Sequence, residues 1–281
     1  MYFISEVSSN HAGSIDRCIE FIKVSKEIGC DAVKFQMFKI DDLFSVEARR
    51  ARPEFELRRA WELPVSFLGP IKEACEEHSI DFSCTPFYLS AVSELEPYVD
   101  FYKIASYELL WLDLLAEVAH TGKRVILSTG MANLDEIDTA VEHLQKNGAK
   151  NIELLHCISG YPTPLADCNL AAIETLRNRY KLKVGWSDHS VNPFVVERAI
   201  NKWEASTIEF HLDLDGTGDE FKTGHCWLPK DMDKVIKTLK SNANIDGSGV
   251  KTAAVSEMFD RDWRADPSDG LRPLIKTRAL L

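Results

Sequence analysis

The chain has 281 residues, 45% hydrophobic and 27% charged, with 33 Lys and Arg against 44 Asp and Glu for a net charge of −11. This size suits one large domain with an ample core. The acidity argues against a nucleic-acid or anionic-membrane partner, yet leaves room for a small anionic substrate met by a few local cations.

Seven cysteines include no CxxC pair, and the N-terminus has neither a basic start nor a long apolar stretch. No apolar run nears the roughly 20 residues of a membrane span. Reduced thiols and a cytoplasmic setting are expected.

Residues 2–7 read as a first strand. Ser14 then caps a helix that turns Ile15, Cys18, Ile19 and Ile22 inward and ends at Gly29. A second strand over 31–37 leads into a long connection, residues 38–64, rich in arginine (Arg49, Arg50, Arg52, Arg58, Arg59). Long connections of this kind are often functional. Strands follow near 80–84, 100–105 and 124–129. Asn133 with Glu136 forms a capping box, Leu134, Ile137, Val141 and Leu144 form an apolar stripe, and Gly148 sits where a terminating glycine belongs. Two more strands are read over 151–157 and 182–187. Asn192-Pro193 opens a helix carrying Val196, Ala199, Ile200 and Trp203, and a last strand spans 205–211.

Eight short apolar runs alternating with helices predict an α/β fold, a (β/α)8 TIM barrel over residues 1–243, with a polar C-terminal tail over 244–281. The rival doubly wound sheet would carry a glycine-rich phosphate loop after its first strand. Ser8-Ser9-Asn10-His11-Ala12-Gly13 is not that motif.

In such a barrel the chemistry sits at the C-terminal ends of the strands. His11, His156, His189, His211 and His225 fall at or just past predicted strand ends, whereas His78, His120 and His143 lie on helical segments. His189 and His211 follow adjacent strands and are the foremost metal candidates, because two imidazoles leave positions open for substrate and water. Asp188 reads either as a third ligand or as a structural carboxylate, the latter slightly favoured. Lys34 and Lys103 interrupt apolar strands, which is costly unless each is paired, as with Glu6 or Glu108, or faces a site. Gln36 shares a face with Lys34. Glu6, Thr85, Ser106, Ser128, Thr129, Ser159 and Tyr161 complete a polar ring at the strand ends. Cations, hydroxyls and a metal suit a small phosphorylated, carboxylate-bearing substrate.

Ordered motifs across residues 2–240 resemble the N-acetylneuraminate (sialic acid) synthase family. They are Ser5-Glu6 through Asn10-His11-Ala12-Gly13, Asp31-Ala32-Val33-Lys34-Phe35-Gln36, Ser83-Cys84-Thr85-Pro86-Phe87, Lys103-Ile104-Ala105-Ser106-Tyr107-Glu108 and Leu127-Ser128-Thr129-Gly130-Met131. Leu155-His156-Cys157, Tyr161-Pro162-Thr163-Pro164, Gly185-Trp186-Ser187-Asp188-His189 and Ile208-Glu209-Phe210-His211 complete the set. The resemblance implies condensation of phosphoenolpyruvate with an N-acylated sugar aldehyde to a nonulosonic acid plus phosphate. It implies a divalent ion, Mn2+ or Mg2+, on His189 and His211. Lys34, Thr85, Lys103, Ser106, Ser128 and Ser187 would bind phosphoenolpyruvate, with Ser159 as a variant phosphate contact where the family often has Asn. Glu6 would handle proton or water chemistry, and Gln36, Glu108 and Tyr161 would face the sugar. The family usually has Lys where this chain has Phe210, and the stretch after His211 runs differently. The chain is expected to lack the family's C-terminal antifreeze-like domain. The tail is therefore expected to cover the active site with Arg264, or next Arg272, meeting the sugar, in a homodimer. The readings that compete are another metal-dependent barrel, such as an aldolase or sugar isomerase, and a non-catalytic barrel in polysaccharide assembly.

Overall fold

The computed structural model describes residues 1–241, 245 and 247–281. Its strands are β1 (Tyr2–Glu6), β2 (Ala32–Met37), β3 (Asp81–Pro86), β4 (Phe101–Ile104), β5 (Arg124–Ser128), β6 (Ile152–Cys157), β7 (Lys183–Asp188), β8 (Thr207–Leu212) and a short β9 (Cys226–Trp227). The first eight pair in order, all parallel, and β1 pairs with β8, so the sheet closes into the expected (β/α)8 barrel. The unexpected β9 pairs with the end of β8, setting Cys226 beside His211.

The helices are α1 (Ile15–Glu27), α2 (Ile40–Leu43), α3 (Val46–Ala51), α4 (Leu68–His78), α5 (Leu89–Leu95), α6 (Leu112–His120), α7 (Leu134–Lys146), α8 (Ala172–Tyr180), α9 (Pro193–Asn201), α10 (Asp219–Thr223), α11 (Pro229–Ser241) and α12 (Ile275–Arg278). The cap signals hold. Ser14 accepts from the Arg17 amide, both bonds of the Asn133–Glu136 box form, and Asn192 accepts from the Phe194 amide. The stripe of α7 departs from expectation at one position, where Ala140 is buried and Leu134 is exposed.

The segment 38–64 is no open loop. It folds into α2, α3 and a 3-10 stretch, Pro53–Trp61. Phe44 stacks on Phe55 at 4.1 Å, and the Arg58 guanidinium lies over Phe44, Phe55 and Trp61. Helical pieces this short are held by such contacts rather than by a long apolar period, so sequence periodicity does not report them.

Strand alternation sorts side chains into two sets. Phe3, Phe35, Phe82, Tyr102, Leu127, Leu154, Trp186 and Phe210 are buried in the large cluster formed with the helices, while Ile4, Ala32, Phe101, Ile126 and Leu155 form a separate small one. The second set is the barrel's interior filling, one residue in each of five strands. Phe210 belongs to the outer set and is fully buried.

The chain divides into two compact units, Met1–Leu239 and Lys240–Leu281. The boundary expected between residues 243 and 244 lies outside the described residues. The second unit is ordered by Asp266, whose carboxylate accepts from the Ile275 amide (2.8 Å), the Ser268 amide (3.0 Å) and the Ser268 hydroxyl (2.5 Å), and by an Arg278–Asp269 pair. Among the described residues no helix is long and apolar enough to cross a membrane.

Candidate active site

Two residues further along than the small apolar cluster, four of its five strands carry a polar group, Glu6, Lys34, Lys103 and Ser128, and the fifth carries Cys157. Register places Glu6 beside both Lys34 and His211, Gln36 beside Thr85, and Ser187 beside Glu209. Lys34 Nζ pairs with Glu6 Oε2, lies 3.3 Å from Thr85 Oγ1 and stands 4.0 Å from Glu209 Oε1. Gln36 Nε2 donates to Glu6 Oε1 at 2.8 Å. Lys103 Nζ is 3.5 Å from Glu209 Oε1, which also accepts from Ser187 Oγ at 3.3 Å. The buried lysines thus share Glu209, and Lys103 uses it rather than Glu108.

The two ammonium groups differ. Burial pulls both down; Glu209 and Glu6 outweigh it at Lys34, whose pKa is raised. At Lys103 burial prevails over Glu209, with Lys34 adding to it, and the pKa is lowered. Glu209 is itself drawn below the usual carboxylate range: burial opposes this, but the two lysines override it. Glu108 has no such compensation. Burial lifts its carboxyl to about 8, Lys103 offsetting only part of the effect.

Several buried polar atoms of this layer have no hydrogen-bond partner among the described residues: Glu108 Oε2, Ser128 Oγ, Ser159 Oγ and Glu209 Oε2. Such atoms are costly unless a ligand or water meets them. Ser106 Oγ accepts from the Gly130 amide at 3.0 Å and lies 3.1 Å from Cys157 Sγ. A Cβ on Gly130 would come within 2.5 Å of Ser159 Oγ and 2.8 Å of Ser106 Oγ. Glycine is therefore required where these hydroxyls converge on the β5 exit.

The five rim histidines separate. His156 Nε2 is bonded to the Cys168 carbonyl oxygen (3.0 Å) and its ring lies against Trp186, while His11 Nδ1 accepts from the Gly13 amide. His189, His211 and His225 converge instead, with ring centroids 5.3, 4.7 and 6.4 Å apart for 189–211, 211–225 and 189–225. The Tyr161 ring flanks all three, at 4.3 Å from His189, 6.1 Å from His211 and 5.0 Å from His225. His189 Nδ1 meets the Ile158 carbonyl oxygen at 2.8 Å and His211 Nδ1 meets Glu220 Oε2 at 3.0 Å. Holding Nδ1 in this way leaves Nε2 as the ligand nitrogen, so the pair fits a divalent ion. Burial, with His211 adding to it, brings His189 down to about 3, whereas at His211 burial is outweighed by hydrogen bonds to Cys226 and Glu220, which raise it to about 10.

Asp188 is spent on structure. Its oxygens accept from the Trp186 and Trp227 indoles (3.0 and 2.9 Å), the Ser190 hydroxyl and the Ser190 and Val191 amides. Arg264 lies in the C-terminal unit, exposed, its Nε donating to the Arg261 carbonyl at 2.7 Å.

A sequence model of the NeuB family matches residues 21–251. The chain belongs to the NeuB family. An uncharacterized protein of Methanocaldococcus jannaschii, MJ1065, is 38% identical over 91% of this chain and 75% of its own length. The N,N'-diacetyllegionaminic acid synthase of Campylobacter jejuni is 34% identical over 90% of this chain and 80% of its own. The solved structure of N-acetylneuraminic acid (sialic acid) synthetase from Leptospira borgpetersenii serovar Hardjo-bovis, in complex with citrate, superposes with a TM-score of 0.80 at 30% identity, covering 92% of this chain and 89% of that one.

Against that family background, three residues of the cluster carry no role in the sequence reading. Glu209 was open to detection, being an acid two residues before His211 on an apolar strand. His225 stood among the five rim histidines but was given no role, and Glu220 was not open to detection, because the loop that brings it back to β8 has no periodic pattern.

Proposed function

We propose that this chain condenses phosphoenolpyruvate with an open-chain N-acylated sugar aldehyde, forming a nonulosonic acid and inorganic phosphate. The observation that carries the reading is the joining, in one barrel mouth, of two buried lysines and a set of hydroxyls lacking partners with a cluster of imidazoles. A divalent ion held by His189 and His211 would supply Lewis-acid polarisation of the aldehyde oxygen.

The chain's own groups divide the remaining work. Lys34 and Lys103, with Thr85, Ser106, Ser128, Ser159 and Ser187, bind the carboxylate and phosphate of phosphoenolpyruvate through charge-assisted hydrogen bonds. Its C3 carbon forms the new bond to the aldehyde carbon, water adds at C2, and phosphate leaves by C–O cleavage. Glu6, held between Lys34 and Gln36, is the group placed to orient that water or move its proton. Glu108, kept protonated at neutral pH, presents a hydroxyl donor, and with Gln36 and Tyr161 it faces the sugar. Relatives named for different acids, legionaminic and neuraminic, support the reaction class more than any one sugar.

The test is phosphate release from phosphoenolpyruvate over a panel of N-acyl hexosamines, with product masses recorded and Mn2+ or Mg2+ supplied. Release should require both substrates and be lost, with the bound metal, in His211→Ala. No release across the panel, or undiminished release in that variant, would overturn the proposal.

A further inference from the structure

The loop after β8 builds a second convergence of ligand atoms, which includes His211 but not His189. Glu220 sits on α10, His225 just before β9 and Cys226 on it, and one ligand atom of each, with one of His211, all stand within 4.8 Å of one another. Glu220 Oε2 accepts from His211 Nδ1 at 3.0 Å, so this cluster lies on the Nδ1 side of that ring. The pairing of β9 with β8 sets Cys226 beside His211.

Glu220, His225 and Cys226 are each fixed from behind. Glu220 Oε1 accepts from Ser8 Oγ (2.5 Å), Ser9 Oγ (2.7 Å) and the Ser9 amide (3.2 Å), which leaves Oε2 to face the cluster. The Thr223 hydroxyl donates its one proton to the Glu220 carbonyl at 2.7 Å, so it accepts from His225 Nδ1 at 2.6 Å. That bond puts the ring hydrogen on Nδ1 and a lone pair on Nε2. Cys226 Sγ accepts from Asn10 Nδ2 at 3.6 Å, and the same amide group is anchored on the Leu212 carbonyl at 2.9 Å. A carboxylate, an imidazole and a sulfur each held by a further hydrogen bond have the outer support that metal ligands receive.

The spacing agrees. His225 Nε2 faces Glu220 Oε2 at 3.6 Å, too far for a hydrogen bond. Two lone pairs brought face to face in this way repel unless a cation lies between them. Around a tetrahedral zinc ion, with bonds of about 2.0–2.1 Å to oxygen and nitrogen and about 2.3 Å to sulfur, neighbouring ligand atoms lie roughly 3.3–3.7 Å apart. Charge agrees as well. A carboxylate and a thiolate cancel the charge of one divalent ion, so the filled site is neutral, as suits a place where His225 is 6% and Cys226 3% exposed.

We propose that Glu220 Oε2, His225 Nε2 and Cys226 Sγ hold a zinc ion of their own, separate from the ion at His189 and His211. Binding releases the Cys226 thiol proton to solvent. The thiolate favours Zn2+ over Mg2+, which keeps to oxygen ligands. His211 is not a ligand of this ion: its Nδ1 hydrogen remains on Glu220 Oε2, which has a second lone pair for the metal. The ion fastens α10 and β9 to the Ser8-Ser9 turn after β1 and steadies the His211 ring through that carboxylate. The proposal stands on this cluster alone and does not require an ion at His189 and His211.

The experiment is titration of the chelator-stripped full chain with Co2+, a spectroscopic stand-in for Zn2+, followed by calorimetry and by the near-ultraviolet charge-transfer band that a thiolate ligand gives to cobalt. It compares the parent with Cys226→Ser, Thr223→Val and His189→Ala. In the parent the band should saturate at one Co2+ per chain and be bleached by added Zn2+ but not by Mg2+. Cys226→Ser should abolish the band, and Thr223→Val, which frees His225 Nδ1, should weaken the ion behind it by about 10-fold. If Cys226→Ser proves unstable, Thr223→Val decides. His189→Ala should keep the band at full strength while the calorimetric count falls by one ion. Co2+ binding without a band in the parent, or a band unchanged in both Cys226→Ser and Thr223→Val, would overturn this site and leave the His189–His211 pair standing. Loss of the band in His189→Ala would also overturn it, by showing a single shared ion. A band kept in His189→Ala with no fall in the count would support this site and count against the pair.

Discussion

The two ends of the barrel interior bury similar chemistry and treat it differently. At the N-terminal end, Glu153 accepts from Arg124 Nη2 (2.5 Å), Ser206 Oγ (2.6 Å) and Thr207 Oγ1 (2.6 Å). The Arg124 guanidinium lies over the rings of Tyr2 and Phe101, at 4.8 and 5.1 Å. Neither Arg124 nor Glu153 has a buried polar atom without a partner. At the C-terminal end, Glu209 is shared by Lys34 and Lys103 yet keeps one oxygen unmet, as do Ser128, Ser159 and Glu108. A buried network that satisfies itself is structural. One that stops short marks the place where a ligand completes it.

The contrast is sharpest where a pair is broken. Arg124→Met should cost about 2–3 kcal/mol of stability in chemical denaturation, somewhat under the usual loss for a buried pair because the arginine is partly exposed. Phosphoenolpyruvate affinity should not move; a weakened affinity would deny the division of labour. Lys103→Met should do the reverse in calorimetry, weakening phosphoenolpyruvate by about 1.5–3 kcal/mol, the range for hydrogen bonds to charged groups. Equal affinity in variant and parent would remove Lys103 from the site.

Glu108 offers a pH handle at the same end. Its folded pKa, about 8, lies above the ordinary value, so its contribution is fully present below the unfolded pKa and is lost as pH rises through about 8. Across that window stability should fall by up to about 1.4 kcal/mol per pH unit on this group's account. Glu108→Gln should flatten that slope in denaturation curves taken at pH 5 and pH 8, and an unaltered slope would show that the carboxyl is not held neutral. The smallest effect is expected from Ser128→Ala. Phosphoenolpyruvate binding should weaken by about 0.5–1.5 kcal/mol, with stability changed by less than about 0.5 kcal/mol, because no internal hydrogen bond is lost. A stability loss with unchanged binding would place this hydroxyl among the structural groups.

Much of the barrel was legible from local pattern. Each of the eight strands matches an apolar run, and the caps at Ser14, Asn133 and Asn192 follow from side-chain oxygens at helix starts. The short helices of 38–64 were not legible, because tertiary stacking of Phe44 on Phe55 holds them. Lys34, Lys103, His189 and His211 stood out because charge inside an apolar strand, or imidazole at its end, breaks a local rule. Nothing local distinguished His156, which packs against Trp186, from His225, which joins the cluster.

Local sequence determined which side chains enter the barrel, because alternation of period two holds along every strand whatever the strand pairs with. Tertiary structure alone decided which of those groups meet. Glu209 reaches both lysines, and Glu6 comes beside His211, only because β8 closes on β1 and brings the two ends of the barrel's chain together. His225 reaches His211 only because β9 pairs with β8. Those encounters depend on register between distant segments, and no periodicity within a single segment encodes it.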